Sequence, residues 1–344
     1  MKRRNFLRAS LGAAAAGLAG SGWLAAGAGA AGAADGALPG ADALQWRDRT
    51  LLGFGTVLSL RVAHADSQQA ERALDAAVET IRHVEAQMSL FKPGSALSRL
   101  NREGVLLQPH PDLVKILQLA QDVSARSQGA FDVTVQPLWT VFETAAGRQA
   151  LPSPEAVAAA RAAVGWQHLS VSNDAIRLGR PGMGVTLNGI AQGFAADLVR
   201  SRLQASGIAY ALVNAGEWTS LGDSSHQQPW LLGLQDPRDA QALITRLALD
   251  GRSVAVSADN ECSFSPDRRH HHIFDPRTGY SPGELSCVAV AAPSCALADA
   301  LTKVMFVAGR EGALRLAREW KVDVLVVDKQ GKWQATPGLQ LHAA

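Results

Sequence analysis

Apolar runs with the length of β-strands follow one another through the second half of the chain. They cover residues 210–214, 230–234, 253–257, 287–292 and 322–327, and an earlier strand is predicted over residues 51–62. Helical periodicity instead marks residues 67–88, 111–127, 154–164, 189–205, 296–307 and 311–320, with Gly309 between the last two. Because helices and strands mix without a regular βαβ alternation, the pattern favours an α+β fold over a doubly wound sheet.

The first 34 residues have the three parts of an export signal. Residues 1–8 are rich in lysine and arginine, a weakly apolar stretch of Ala, Gly and Leu follows, and residues 28–34 are small. Adjacent Arg3 and Arg4 indicate the twin-arginine route. The leucines are too few for a transmembrane helix, which needs about 20 strongly apolar residues. Residues 1–34 are therefore predicted to be a twin-arginine export signal.

The signal predicts a soluble periplasmic protein with no stable membrane insertion after cleavage. No cysteine precedes Cys262, so no lipid attachment is expected at the cleaved N-terminus. The alternative is a cytosolic protein with a disordered, alanine-rich start. In an oxidising compartment, Cys262, Cys287 and Cys295 are either buried thiols or one pair with one thiol left over.

Composition leaves room for one large unit and argues against a nucleic-acid partner. Roughly 300 residues follow the signal, which is enough for a substantial core. The formal net charge is +2, and the basic residues are scattered along the chain. A nucleic-acid binder would instead carry a basic patch on one face.

Five short motifs follow one another in a fixed order, and together they carry a family resemblance. They are Phe54-Gly55-Thr56; Met88-Ser89-Leu90-Phe91 with Ser95, Leu100 and Asn101; Phe131-Asp132-Val133-Thr134-Val135 with Pro137-Leu138; Asn188-Gly189-Ile190-Ala191-Gln192-Gly193-Phe194 with Asp197; and His272-Ile273-Phe274-Asp275-Pro276-Arg277-Thr278-Gly279. Over residues 52–325 the chain resembles the ApbE-type family of periplasmic FAD:protein FMN transferases. The form of the fourth motif, and the turn at Glu217, resemble the NosX-like branch of that family.

The resemblance implies a fold and an activity. The fold would be one large ApbE-like domain over residues 41–340, related to the T-fold, with two packed α/β lobes. The reaction would move FMN from FAD onto a threonine hydroxyl of an acceptor flavoprotein and release AMP. FAD would be the substrate, and Mg²⁺ would assist by neutralising charge, as a hard divalent cation does in phosphoryl transfer.

The same resemblance implies a set of site residues. Asp299 and His272 would be catalytic. The residues that would contact the cofactor are Phe54, Phe91, Phe131, Asp132, Thr186, Gln192, His272, Ile273, Arg277 and Thr278. Some of them have a simpler interpretation: Phe54 and Phe91 as core, Asp132 as a partner of its own backbone, and the turn at Arg277 and Thr278 as a chain reversal.

The family's metal ligands are matched only in part. The resemblance implies a cation held by Asp299, by the carbonyl of Gly189 and by a threonine four residues after the aspartate, but that position is Lys303. An ammonium group cannot ligate a cation, and Asp299 and Lys303 have the spacing of a helical ion pair. Thr302 could be the ligand instead, Lys303 could supply the charge itself, or the metal and the activity could be lost.

Three successive histidines invite a metal interpretation that spacing does not favour. In an extended segment His270 and His272 share a face while His271 points away, so the three cannot readily bind one ion. His272 is predicted to be functional, and the other two are expected at the surface.

Two further functions of the protein remain open: a catalytically impaired protein that binds or delivers FAD, and a flavin-free structural partner in a periplasmic assembly.

Overall fold

A computed structural model describes residues 44–224 and 228–344 of the chain. The predicted export signal lies outside the described residues. The described part contains seven α-helices: α1 (Ser67–Met88), α2 (Ala96–Glu103), α3 (Pro111–Arg126), α4 (Gln136–Ala146), α5 (Pro154–Ala162), α6 (Ala191–Ala205) and α7 (Cys295–Trp320). A 3₁₀ turn covers Trp166–His168.

The strands are short, and they are most frequent after α6. They are β1 (Gln45–Gly53), β2 (Thr56–His64), β3 (Val105–Leu107), β4 (Leu169–Val171), β5 (Ala175–Leu178), β6 (Tyr210–Asn214), β7 (Trp218–Leu221), β8 (Leu231–Gln235), β9 (Leu243–Ala248), β10 (Ser253–Ala258), β11 (Leu285–Ala292), β12 (Asp323–Asp328), β13 (Trp333–Ala335) and β14 (Leu341–His342). This mixture confirms the predicted α+β class.

An eight-stranded sheet forms the centre of the protein. Its strand order is β1-β2-β6-β7-β10-β11-β12-β13, and each neighbouring pair is antiparallel. Helices α1, α6 and α7 pack on one face of this sheet. A three-stranded sheet of order β14-β9-β8 packs on the other face. A third sheet, of order β3-β5-β4, lies near α2 and α3.

The central strands are buried on both faces, which explains their continuous apolar sequence. Val288 and Val290 of β11 belong to the core on the helical side, whereas Ala289 and Ala291 belong to the core shared with the small sheet. Alternate residues of a strand point to opposite faces. A strand placed between two apolar layers therefore has apolar residues on both faces, and its sequence does not alternate between apolar and polar residues.

The strand predicted over residues 51–62 is in fact a β-hairpin. β1 ends at Gly53 and β2 begins at Thr56, so Phe54 and Gly55 form a two-residue loop. Both have positive φ, 51° and 80°, as a type I′ turn requires. The prediction was wrong because apolar residues continue across the turn.

The helix ends follow local chemistry. Ser95 caps α2, because its side chain accepts a hydrogen bond from the backbone N–H of Ser98. Gly309 interrupts α7 with a φ of 71°, which confirms the predicted break between two helical segments. Among the described residues, no helix combines the length and the apolarity needed to cross a bilayer.

Candidate active site

A cavity of about 280 Å³ opens among segments that are distant in sequence. Its wall is made by the turn between β1 and β2, the end of α1, the segment before α4, the segment leading into α6, the turn between β6 and β7, β10, the segment between β10 and β11, and α7. The cavity thus lies where the helical layer meets the central sheet. Clefts lined mainly by apolar groups, with a few polar groups converging on them, are typical ligand sites.

One wall of the cavity is aromatic. Phe54, Phe91, Phe131, Trp139 and Phe274 all line it. Phe131 is buried, whereas the Phe91 side chain is 64% exposed. An exposed aromatic ring at the mouth of a cavity offers a planar surface on which a ring-shaped ligand can stack.

Phe54 reaches this wall from an unfavourable backbone conformation. It holds the left-handed conformation in the β1–β2 turn, which bulky residues rarely adopt. Its backbone N–H donates a hydrogen bond to Glu85 Oε1 on α1 at 2.8 Å, which fixes the turn against the helix. Strain of this kind persists only where the surroundings over-determine it, and it is frequent at functional sites.

Asp132 organises the loop beneath the aromatic wall. Its Oδ1 accepts hydrogen bonds from the N–H and the hydroxyl of Thr134, both at 2.7 Å, and its Oδ2 accepts one from the N–H of Trp166 at 2.9 Å. Burial raises the pKa of Asp132, and these hydrogen bonds oppose the rise. Asp132 lines the cavity, but both carboxylate oxygens already have partners within the protein.

The segment that leads into α6, together with the first turn of that helix, forms a second wall, which includes Thr186, Gly189 and Gln192. The N–H of Thr186 donates to the carbonyl of Val133, so this wall is tied to the Asp132 loop. A Cβ atom on Gly189 would lie 3.1 Å from Cε of Lys303, which makes glycine the residue that lets the lysine pass. This close approach explains the small residue at position 189.

An ion pair closes the inner end of the cavity. Lys303 Nζ donates to Asp299 Oδ1 at 2.5 Å, and Asp299 Oδ2 accepts a hydrogen bond from the N–H of Gly193 at 3.2 Å. The Asp299 side chain is 1% exposed, and that of Lys303 is 17% exposed. Asp299 therefore lies behind Lys303, and the ammonium group is the part of the pair that faces the cavity.

Two glutamates that the sequence did not single out as site residues also line the cavity. Glu217 is buried, and its Oε2 accepts a hydrogen bond from the N–H of Val256 at 3.0 Å. Burial raises the pKa of Glu217 well above its ordinary range, and the Asp299 charge adds to the rise. Only the turn after β6 pointed to Glu217, and no local pattern indicated Glu261.

Glu261 differs from Glu217 in its access to solvent. Burial raises the pKa of Glu261 to about 7, and nearby Lys303 opposes the rise. The Glu261 side chain is 41% exposed, which also works against the rise. The upward direction holds, because the charge of nearby Asp299 adds to the rise.

His272 is held in its neutral form. Its Nδ1 lies 3.3 Å from the carbonyl oxygen of Cys262, and its Nε2 lies 3.8 Å from Glu261 Oε2. Burial lowers the pKa of His272 to about 3. The Nδ1–H donates to that carbonyl, so Nε2 keeps a free lone pair beside Glu261.

The other two histidines differ from expectation in one respect. His271 is fully buried, so its predicted place at the surface is wrong. Its N–H donates to Ser281 Oγ at 2.8 Å, and its Nε2 lies 3.2 Å from the carbonyl oxygen of Pro282. The segment also lacks a regular strand, and His271 forms only an isolated bridge with Ser263. The three histidines do not converge on one point.

The structure brings ten of the sequence-predicted residues to the cavity wall and leaves four away from it. Those at the wall are Phe54, Phe91, Phe131, Asp132, Thr186, Gly189, Gln192, His272, Ile273 and Lys303. Arg277 is exposed and pairs with Asp275, with Nε and Oδ1 2.8 Å apart. The Thr278 hydroxyl donates weakly to the Asp275 carbonyl at 3.4 Å. Asp299 lies behind Lys303.

Thr302 also points away from the cavity. Its hydroxyl donates to the carbonyl of Asp299 at 2.6 Å and lies 2.8 Å from Ser257 Oγ. A serine or threonine hydroxyl commonly bonds back to its own helix in this way. The alternative ligand suggested for a cation is therefore occupied by bonds within the protein.

All three cysteines lie in the described part of the chain, and all are free thiols. Cys262 lines the cavity, whereas Cys287 and Cys295 are buried. Burial raises the pKa of Cys262 to about 11, so its thiol stays protonated and unreactive near neutral pH. Of the two alternatives for the cysteines, the structure has unpaired thiols.

The fold and the cavity define an α+β protein whose cavity combines an aromatic wall with polar groups, as suits a ligand with planar and anionic parts. Residues 54–326 match the family model described as the ApbE family. The chain therefore belongs to the ApbE family, and it is a transferase. The match covers most of the chain, in agreement with the resemblance seen in the motifs.

Individual relatives agree with this assignment. The FAD:protein FMN transferase of Klebsiella pneumoniae (strain 342) is 30% identical over 293 residues, which cover 81% of this chain and 83% of the relative. The protein of the same name from Escherichia coli K12 is 30% identical over 258 residues, with 71% and 73% covered.

Solved structures agree as well. The apo flavinyl transferase ApbE of Pseudomonas stutzeri is 28% identical, with a TM-score of 0.74 over 85% of this chain and 94% of that one. An ApbE protein of Thermotoga maritima, at 23% identity and a TM-score of 0.75, has the same fold over 85% of this chain and 97% of its own.

Proposed function

We propose that this chain is an FAD:protein FMN transferase. The observation that supports the proposal most directly is the cavity, whose lining includes both an aromatic wall and the Lys303 ammonium group. A flavin needs an apolar slot for its ring system, and its phosphates need a cationic or amide-lined seat. The relatives that bear this name cover most of the chain.

The cavity volume supports the enclosure of part of the dinucleotide. About 280 Å³ is near the lower end of the range for small-molecule sites. A flavin ring against Phe54 and Phe91 would place the adjoining phosphates toward Lys303. The rest of the FAD molecule would extend beyond the cavity mouth, where the acceptor protein must also approach.

The proposed reaction is an attack by a threonine hydroxyl of the acceptor protein on the FMN-side phosphorus of FAD. A new O–P bond forms, the anhydride P–O bond to AMP breaks, and AMP leaves with the electron pair of that bond. FMN remains attached through a phosphoester. In such reactions, positioning and charge neutralisation contribute more than covalent participation by the enzyme.

Two neighbouring groups can accept the hydroxyl proton. His272 is neutral and has a free Nε2 lone pair, and Glu261 lies 3.8 Å from that atom. A general base works best when its pKa lies near the working pH. The pKa of about 7 makes Glu261 the better match, and His272 would then position the carboxylate or the hydroxyl.

The magnesium ion implied by the resemblance does not fit these residues as they stand. Asp299 Oδ1 is bonded to an ammonium group, Asp299 Oδ2 to a backbone N–H, and the Thr302 hydroxyl to the Asp299 carbonyl. Within the described ranges, the one group of three His, Cys, Asp or Glu side chains with ligand atoms within 4.8 Å of one another is His83, His110 and Asp112, outside the cavity. No step of the reaction is therefore assigned to a metal.

We also propose export by the twin-arginine route and action in the periplasm. The support is the sequence of residues 1–34, with adjacent Arg3 and Arg4. A protein that carries flavin to other exported proteins would meet folded acceptors in that compartment.

The decisive test is a transfer assay. The purified protein would be incubated with FAD and a peptide that carries the acceptor threonine, both with Mg²⁺ and without it, and AMP and fluorescent peptide would be measured. We expect equal amounts of both products, and none with a peptide in which alanine replaces the threonine. Tight FAD binding without either product would instead favour a protein that binds or delivers FAD. A protein that binds no flavin would contradict both functions.

A further inference from the structure

Lys303 is the one lysine or arginine whose side chain lines the cavity in the described part of the chain. The other titratable cation at the wall, His272, is held neutral by burial, which lowers its pKa to about 3. An anionic ligand in this cavity would therefore meet its only full positive charge at Lys303. This lysine is therefore the side chain that can neutralise the negative charge of a bound phosphate.

The position of the ammonium group is fixed from two sides. Its aliphatic stem passes over Gly189, where any larger residue would meet Cε. Its Nζ is bonded to Asp299, one helical turn earlier on α7. Asp299 is fixed in turn by the N–H of Gly193 at the start of α6. The cation is thus held at a helix–helix contact and does not depend on a flexible surface side chain.

The ammonium group retains donors for a ligand. A lysine has three N–H donors, and one of them goes to Asp299. The other two N–H donors have no protein acceptor among residues 44–224 and 228–344. With 17% of the side chain exposed to the cavity, these donors can reach a phosphate oxygen.

The charges around Lys303 keep it protonated. Burial works to lower its pKa, but neighbouring acidic groups raise it overall, and Asp299 makes the largest contribution to the rise. The contact of 2.5 Å between Nζ and Asp299 Oδ1 therefore favours the charged form of the lysine at the cavity wall.

We propose that Lys303 is the built-in counter-cation for the phosphoanhydride of FAD, and that it allows this chain to bind FAD and transfer FMN without a divalent ion. The inference rests on the proposed function. It assigns to one side chain of this sequence the neutralising charge that phosphoryl transfer requires. Lys303 exchanges no proton in the reaction; it donates hydrogen bonds to the phosphate oxygens while the anhydride P–O bond breaks.

The test compares two ligands that share the flavin ring but differ in phosphate. Binding of FAD and of riboflavin would be measured by flavin fluorescence in excess EDTA. The wild type is expected to bind both, with FAD transfer to the threonine peptide unchanged within about two-fold when Mg²⁺ replaces EDTA. Lys303→Met should weaken FAD binding by about ten-fold or more, as expected for a charge-assisted hydrogen bond, and leave riboflavin binding unchanged.

Two further variants separate charge from folding. Lys332→Met removes an exposed lysine away from the cavity and should leave the binding of both ligands unchanged. Lys303→Met combined with Asp299→Asn removes both charges of the pair and avoids an unpaired buried carboxylate. This double variant should fold, bind riboflavin and retain the FAD defect.

Three results would overturn the inference. They are wild-type FAD binding or transfer that requires Mg²⁺, equal loss of FAD and riboflavin binding in both folded Lys303 variants, and unchanged FAD binding in those variants. A wild type that transfers FMN only with Mg²⁺ would remove the role of Lys303 and leave the proposed function standing. A wild type that neither binds FAD nor releases AMP, with or without Mg²⁺, would contradict the proposed function itself.

Discussion

A single residue, Phe54, joins strain in the backbone to binding in the cavity. It occupies a turn position with positive φ that asparagine or glycine fills at lower cost, and its ring lines the aromatic wall. Its ring also packs against the core. A turn chosen for stability alone would not place a phenylalanine here. The strain is therefore consistent with selection for ring binding.

We predict that Phe54→Asn weakens FAD binding while changing stability little. Loss of one aromatic contact, at about 0.5–1.5 kcal/mol, would lower FAD affinity roughly 2- to 12-fold. Relief of backbone strain offsets the lost core packing, so the unfolding free energy should change by no more than about 1 kcal/mol. Flavin titration and urea unfolding check both values. Leu52→Asn, at a 79% exposed neighbour outside the cavity, is the control and should bind FAD normally.

At position 303, replacement of the lysine by threonine should improve the binding of Mg²⁺. We predict that Lys303→Thr raises the affinity for Mg²⁺, because it removes a repelling charge and frees Asp299 Oδ1 for a cation. Mg²⁺ titration monitored by calorimetry measures the change. Lys332→Thr should behave as the wild type. Identical titrations for Lys303→Thr and the wild type would show that Asp299 is not a potential ligand.

At Glu261, burial predicts a pH dependence of stability. Its folded pKa of about 7 lies above the ordinary value of 4.5, so the protonated form favours folding, and this contribution is lost as pH rises from about 4.5 through 7. We expect urea unfolding at pH 5 and pH 8 to show a larger loss of stability for the wild type than for Glu261→Gln. Glu311→Gln, at an exposed helical position, should keep the wild-type loss. Equal losses in all three proteins would contradict the raised pKa.

At the scale of elements, the site depends on the contact between α6 and α7. Gly193 lets the two helices approach so closely that a Cβ atom there would overlap backbone atoms of Cys295 and Ala296. The same approach allows the Gly193 N–H to bond to Asp299. Asp197 strengthens the junction, because its carboxylate accepts the N–H groups of Cys295 and Ala296 at 2.8 and 2.9 Å.

We predict that Gly193→Ala separates these helices. Forcing an added methyl group into backbone atoms should lower the unfolding free energy by about 1–3 kcal/mol, and the displaced Asp299–Lys303 pair should weaken FAD binding. Urea unfolding and flavin titration measure the two effects. Gly283→Ala is the matched control, since its added Cβ meets nothing within 4 Å. Retention of both properties in Gly193→Ala would mean that the helices adjust without moving the pair.

At the scale of the whole molecule, the proposed location has a direct test. We predict that replacing Arg3 and Arg4 together by lysine leaves the full-length precursor in the cytoplasm, because the twin-arginine route reads that adjacent pair. Cell fractionation with antibody detection measures the distribution. Arg8→Lys, which keeps the pair, should be exported. Export of the double variant would contradict the proposed route.

Much of the fold could be predicted from local patterns. The bounds of α1 and β6 match the predicted helix over 67–88 and strand over 210–214, and Gly309 marks the break in α7. These features depend on residues within about one helical turn or one strand of each other. The β1–β2 turn was missed because apolar residues continue through it. Helix α4, between Gln136 and Ala146, was also not predicted.

The candidate site, like the fold, could be predicted only in part from the sequence. The helical spacing of Asp299 and Lys303 alone predicted their ion pair, which the structure contains. Four of the residues that the family resemblance suggested do not line the cavity, and Glu217 and Glu261 line it without having been chosen as site residues. A motif states which residues occur together, but the turn of the backbone decides which side chains face inward.

By itself, the sequence determined most of the helices, the five strands β6, β8, β10, β11 and β12, the α+β class, the break at Gly309 and the pairing of Asp299 with Lys303. All of these follow from periodicity and from neighbours a few residues apart. Only the tertiary structure decided that Lys303, and not Asp299, faces the cavity, and that two glutamates from separate segments join it there. The physical reason is that a cavity wall is made by packing segments distant in the chain, and the burial that shifts the pKa of Glu261 and His272 exists only once those segments meet.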